Sequence, residues 1–225
     1  MVPMTLPEED TNTPRAPRGL ESSSPSVRLR TAMRIGTTPD PRFVDELVER
    51  CAIEPDFSVR ETLTWALTRH PSSTTVPRLV DELRSERAQA RSQALHTLSK
   101  IGDRRAWPAV TRALLTDADD EVARSAWRAA VALVPEGEEP GLAGVLATQL
   151  GRGGRETRLS LSRALVALGE VAVPVLRGAT ADPDPRVREH AIATQRLLRD
   201  PDAAFGFAIE EAKRIVALGT NGQEE

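Results

Sequence analysis

Apolar and polar positions along this chain come in blocks, and the same block is written several times. Anchored at Val59, Ala90, Val122, Thr157 and Val187, small or apolar residues return four, seven, eight and eleven positions further on. Val59 leads to Leu63, Ala66 and Leu67, and Ala90 to Ala94, Thr97, Leu98 and Ile101. Val122 leads to Ala126, Ala129, Ala130 and Leu133, and Thr157 to Leu161, Ala164, Leu165 and Leu168. Val187 leads to Ala191, Thr194 and Leu198, with Gln195 interrupting the stripe. This spacing lays one apolar stripe along an α-helix. Successive anchors lie 31, 32, 35 and 30 residues apart.

Each of these long helices follows a shorter predicted one, at 74–83, 105–115, 141–150 and 171–180. Pro77, Pro108 and Pro174 are placed near the starts of theirs, where a missing N–H costs little. Gly102 and Gly169 are read as left-handed caps closing the preceding helix. Asp117, Asp120, Asp182 and Asp184 stand in the turns before long helices, where carboxylates cap free N–H groups. A weaker copy, 26–36 and 41–51, opens the array. A lone helix over 203–219, with Glu210, Glu211, Lys213 and Arg214 on one side, is expected to close it. Residues 1–24 hold Pro3, Pro7, Pro14, Pro17 and a serine run with no periodicity, and are expected to be a disordered tail. The repeat body then spans 25–219, and 220–225 form a frayed polar end.

The turn acids followed by Val-Arg, "DFSVRE" at 56–61 and "DPRVRE" at 184–189, resemble HEAT repeats. So do "TVPRL" (75–79) and "AVPVL" (172–176) in the first helices and "LSKIGD" (98–103) at a helix end. The period is short for that family and resembles the variety found in phycobilin lyases and in adaptor-like bacterial proteins. The 122–133 unit departs from the pattern, with Ala123 where the others place Arg60, Arg91, Arg158 and Arg188. The resemblance covers about 26–218 and implies an all-α fold. That fold is an α-solenoid, a right-handed superhelix of about six stacked antiparallel helix pairs. It also implies that the four arginines pair with turn aspartates of their own or the adjacent repeat.

Composition agrees with close helix packing: 40% of the 225 residues are hydrophobic but only 3% aromatic, so the core is built from Ala, Leu and Val. The formal charge of −3 gives no global drive toward nucleic acid or anionic membrane. Of 30 basic residues all but Lys100 and Lys213 are arginine. One cysteine, Cys51, excludes an internal disulfide framework. With no secretory signal and no long apolar run, a cytoplasmic location is expected.

No catalytic constellation emerges. There is no GxSxG, no HExxH and no Ser, His and Asp set in context; "GRGG" (151–154) lacks the Lys-Ser/Thr sequel of a phosphate loop and reads as a flexible turn. His70, His96 and His190 are dispersed and Cys51 has no CxxC partner, so neither metal nor cofactor is expected. Trp107 is expected to plug a gap between units, and Trp127 to lie at the edge of the core stripe.

The resemblance implies that the second helices line a concave surface, reached from positions two and six past each anchor. Those columns supply Glu61, Ser92 and Arg124, and Trp65, His96, Arg128 and Arg163. Arg124, Arg128 and Arg163 make a central basic spot, with Trp65 and His96 toward its N-terminal end; arginine and tryptophan are favoured at interface hot spots. The leading expectation is a non-enzymatic scaffold or adaptor gripping a protein or peptide along this groove. Two alternatives follow from related folds. One is a HEAT-like alkylpurine DNA glycosylase, which needs a basic surface, aromatics and an acid. The other is a bilin lyase-like chromophore handler, which needs a deep aromatic pocket.

Overall fold

The computed structural model describes residues 18–200, and every regular element among them is helical. In chain order these are α1 (Pro25–Thr37), α2 (Val44–Cys51), α3 (Phe57–Arg69), α4 (Ser72–Glu82), α5 (Ala88–Ile101) and α6 (Arg112–Leu115). They continue with α7 (Asp120–Leu133), α8 (Glu139–Ala147), α9 (Arg155–Ala167), α10 (Val173–Ala179) and α11 (Pro185–Arg199). Short 3-10 turns occupy Arg18–Glu21, Pro41–Phe43, Arg104–Ala109 and Gly169–Ala172. The chain divides into two units whose boundary, between Arg78 and Leu79, falls inside α4.

The first unit packs α1 and α2 against α3. Its core is Ala32, Ile35, Val44, Leu47, Val48, Val59, Leu63, Ala66 and Leu67, all buried. Leu20, inside the segment assigned to a disordered tail, is buried in a 3-10 turn that packs on α1. A single apolar residue anchors a stretch that otherwise reads as polar. Cys51 sits in this core, and burial pushes its thiol up to about 12, so the thiolate needed for reactivity is absent near neutral pH.

The second unit has two helical layers. The long helices α5, α7, α9 and α11 pack each on the next, while α6, α8 and α10 pack in sequence as the other layer. That is the stacked-pair, all-α solenoid the repeat predicts. The alanines of the stripe do what their size permits: Ala94, Ala123, Ala126, Ala129, Ala130 and Ala143 are buried, and helices close on them.

Several local expectations shift. The predicted 105–115 helix breaks into a 3-10 turn and the one-turn α6, with Pro108 inside the turn. Pro77 lies inside α4, which starts at Ser72, rather than in its first turn. Gly102 closes α5 in the left-handed region, at φ 69°, as expected. The cap of α7 is Asp119, not its neighbours: its carboxylate accepts from the Glu121 and Val122 N–H groups. Asp117 and Asp120 are thereby released for other work. The final helix at 203–219, with Glu210, Glu211, Lys213 and Arg214, and the 220–225 end lie outside the described residues.

Three of the four anchor-plus-one arginines, Arg60, Arg91 and Arg188, are tied down, but mostly not to aspartates: each reaches back over its own turn. Arg158 makes no side-chain hydrogen bond or ion pair with a described residue, so the expected pairing fails there. Arg60 Nη1 donates to the carbonyls of Glu54 and Pro55 (2.9 and 2.8 Å), and Arg188 Nη1 to those of Asp182 and Pro183 (2.7 and 2.8 Å). Arg91 does the same to Ser85 and Glu86 (2.9 and 3.1 Å) and alone adds the expected aspartate, chelating Asp117 of the next turn. In the opening copy Arg28 takes the Ser22 and Ser23 carbonyls (2.8 and 3.0 Å). A guanidinium thus neutralises two carbonyls left over where a turn enters a helix.

The α7 repeat, which has Ala123 instead, keeps the bond by other means. Arg152, from the turn before α9, donates to the Asp117 and Ala118 carbonyls, the two that an arginine at 123 would reach. Its Nε and Nη2 also hold Asp120, at 2.9 and 2.8 Å. The brace missing within one repeat is supplied by its neighbour. Arg152→Ala is therefore expected to lower stability by about 2 kcal/mol, since it strands charge-assisted acceptors. Adding Ala123→Arg in that background should return part of the loss. Urea melts of the three proteins check this, and an unchanged midpoint for Arg152→Ala would remove the argument.

Candidate functional site

The seven residues predicted to line a groove divide between the two units. Glu61 and Trp65 belong to α3 in the first. Both are exposed, Trp65 by 41%. The indole is seated where Gly36 of α1 has no side chain; a Cβ there would overlap its benzo ring and crowd the Ala66 Cα. Sequence reasoning missed Phe57, which is 67% exposed and lies on the same helical face as Glu61 and Trp65, four residues apart in turn. The Arg60 guanidinium stands over its ring, 5.9 Å from the centroid. The only signal in the sequence was an aromatic at the first position of a helix, where no apolar stripe needs one.

In the second unit the column six past each anchor lies at or near the surface. His96 is half-buried, and Arg128 and Arg163 are exposed. Arg128 Nη2 donates to Ser125 Oγ at 3.0 Å, and none of the ion pairs among the described residues involves Arg163. The column two past each anchor is less uniform. Arg124 is half-buried and bonded to Glu121 at 2.9 Å. Ser92 does not face outward at all: it is 6% exposed, and its hydroxyl bonds Ser125 Oγ at 3.0 Å. The reason is packing. α5 and α7 approach closely enough that this position falls in the seam between them.

The other two indoles serve packing. Trp127, expected at the edge of the stripe, is completely buried, and its Nε1 donates to the Leu115 carbonyl at 2.8 Å. Trp107 is half-buried and donates to Glu138 at 2.8 Å, across a repeat boundary.

The structure brings together one pair that sequence order conceals. His190 Nε2 lies 3.0 Å from Ser162 Oγ, both buried. The hydrogen bonding settles what this pair can do. His190 Nδ1 accepts the Gly151 N–H (3.0 Å), so the ring proton sits on Nε2, where it faces the Arg158 carbonyl and Ser162 Oγ. Ser162 and Thr194 hydroxyls bond at 2.8 Å, and Thr194 donates to the His190 carbonyl. A nucleophilic serine needs a lone pair on the facing nitrogen, and here there is a proton. The pair is a satisfied buried knot between α9 and α11.

The same contact corrects the reading of "GRGG". Gly151 and Gly153 have φ of 80° and 68°, and a Cβ on Gly153 would crowd Thr157 and the Asp120 carboxylate. Together with the Arg152 brace, this makes the segment a tightly built joint rather than a flexible turn.

Burial holds His190 below its ordinary value, and the charge of Arg158 adds to this. Protonating Nδ1 would set a second donor against the Gly151 N–H. The neutral ring is therefore a folded-state preference, and its stabilisation is complete above the unfolded pKa of about 6.5. It is lost progressively as pH falls below that value toward the folded pKa. The urea midpoint should fall more steeply below about pH 6.5 for the natural chain than for His190→Gln. Parallel slopes would show that His190 carries no such linkage.

Among the described residues no helix is long and apolar enough to cross a membrane. The described concavities are shallow; one of about 450 Å³ in the first unit is lined by Arg34, Ile35, Thr38, Pro39, Asp40, Pro41 and Phe43, with a single aromatic. A protein-family model described as HEAT repeats matches residues 44–132. No curated protein matches the chain.

Proposed function

We propose, from the HEAT-repeat match over residues 44–132, that the chain is a non-enzymatic scaffold that docks a protein partner on the outward face of its long helices. The observation that carries this reading is the pair Arg128 and Arg163. They occupy the same position on adjacent helices, both exposed, where the equivalent stripe positions are used for packing. Arginine presented in register on a rigid layer is an economical way to hold a partner, because the side chains are placed by the fold rather than by loops. Phe57 and Trp65 offer an aromatic face of the first unit for the same use. The proton placement in the Ser162–His190 pair supports a role without hydrolysis.

The test is capture from nuclease-treated native lysate by the full chain and by Arg128→Glu, Arg163→Glu, with Trp65→Ala run separately. The double variant must show an unchanged helical melt. A protein retained by the natural chain and lost from the double variant is expected, and is then purified and its binding measured directly. Identical capture by both, or capture by neither, overturns the reading.

A further inference from the structure

The chemistry of the partner can be taken further, on the premise that the outward face of the second unit is the docking surface. The acids of its long helices are confined to the helix starts, while bases run the whole length. α5 holds no acid; α7 holds only Asp120 and Glu121, α9 only Glu156 and α11 only Glu189. Past the fifth residue of each, the four helices carry Lys100, Arg128, Arg163, Arg196 and Arg199 and no carboxylate. The helix dipole accounts for Lys100, Arg196 and Arg199, which lie in last turns where a cation meets the negative end. It does not account for Arg128 or Arg163, since neither α7 nor α9 has a basic residue in its last turn. Nor does internal pairing explain Arg163, as no ion pair with a described residue holds it.

Register then gives a spacing. Ser92 bonds Ser125, and Thr157 Oγ1 donates to Asp120 Oδ2 at 3.0 Å, so neighbouring long helices start level with one another. Arg128 and Arg163, each six residues past its anchor, therefore stand side by side on packed helices whose axes lie about 8–10 Å apart. An extended polyproline-II chain rises about 3.1 Å per residue and returns to the same side every third residue, a repeat of about 9 Å. We propose that this face binds an acidic protein segment in extended, polyproline-II-like conformation, with carboxylates every third residue meeting Arg163, Arg128 and the half-buried His96 in turn. Each guanidinium can take its carboxylate through two parallel hydrogen bonds.

The probe is a fluorescein-labelled peptide of repeated Glu-Pro-Pro triplets, followed by anisotropy on the full chain. The reference peptide is its Gln-Pro-Pro counterpart. The acidic peptide should bind at least about ten-fold more tightly than the amide peptide, a difference of about 1.4 kcal/mol. Arg128→Glu, Arg163→Glu should abolish that difference, whereas Arg112→Glu, on α6, should leave it intact. Arg128→Lys, Arg163→Lys should weaken it, since lysine loses the paired geometry. Equal binding of the two peptides, or undiminished binding to the double variant, overturns the proposal. So does an oligothymidylate that binds the same two arginines more tightly than the acidic peptide, which would make the face a nucleic-acid surface. If lysate capture depends on Arg128 and Arg163 while Glu-Pro-Pro does not bind, the docking face stands and its acidic partner chemistry fails. If capture is independent of them as well, both fail.

Discussion

Replacing Glu54 with alanine is expected to cost the first unit about 3 kcal/mol or more. Its carboxylate is fully buried in the link between α2 and α3. It accepts from Arg28 Nε and Nη2, both at 2.7 Å, from Arg50 Nε at 2.8 Å and from the Asp56 N–H at 2.9 Å. Burial alone would raise its pKa, but the Arg28 bonds, the Asp56 N–H and Arg50 together bring it down to about 2. The carboxylate is thus the centre of a network that joins α1, α2 and the entry to α3. Removing it leaves Arg28, 4% exposed, with an unmatched charge. Glu54→Gln keeps the shape but turns amide hydrogens toward guanidinium donors, so it should be nearly as damaging as alanine. Exchanging the buried pair, as Arg28→Met with Glu54→Leu, should recover part of the loss, because the buried Arg28 charge is then removed and Arg50, 18% exposed, still reaches water. Urea unfolding of the four proteins decides it; a near-neutral Glu54→Gln would show that charge is not what the network needs. The pH dependence has a definite sign. With a folded pKa of about 2 against an ordinary 4.5, this stabilisation is complete above the ordinary value and disappears as pH falls through the folded one.

The second large effect is expected at Trp127. It is the largest fully buried side chain of the described residues, and lies in α7 between the two layers of the second unit. Trp127→Ala should cost about 3–5 kcal/mol, combining lost transfer free energy with an incompletely collapsed cavity. Trp127→Phe separates two contributions. It restores most of the volume but leaves the Leu115 carbonyl without its donor, a penalty of about 1–3 kcal/mol for a buried acceptor. Thermal or urea melts should therefore rank the natural chain first, the phenylalanine variant second and the alanine variant last. Equal stability of the natural and Phe proteins would mean that water reaches the carbonyl.

Both sites show where reading a chain one residue at a time stops working. Arg28 and Glu54 stand 26 positions apart and each, on hydropathy, belongs on a surface. Only the packing of α1 on α3 puts them together and away from water. Trp127 sits five past its anchor, a position that helical periodicity assigns to the margin of the stripe. Only the packing of α7 on the short α6 buries it, with the indole N–H on the Leu115 carbonyl at the end of α6.

The predicted surface divides in the same way. At 3.6 residues per turn, positions two and six past an anchor both point away from the stripe, so helix geometry alone placed Trp65, Arg128 and Arg163 outside. Which of these positions stays exposed then depends on how close the next helix comes. Ser92 is lost to the α5–α7 seam, while Glu61 stays in water.

What the sequence determined by itself was the helical stripe, its period, the stacking it demands and the absence of a catalytic motif. These follow from local rules: the 3.6-residue turn, left-handed glycine caps, and the need of each repeat to bury an apolar face against its neighbour. What tertiary structure alone decided was which polar groups became internal. The Glu54 network, the Ser162–His190–Thr194 knot and the brace that Arg152 supplies for Ala123 all depend on contacts between residues 26 to 39 positions apart. Burial raises the cost of an unpaired charge or carbonyl, so each packed seam recruits whichever polar side chain can reach it. No periodicity in the sequence records that choice, because it is made across helices rather than along them.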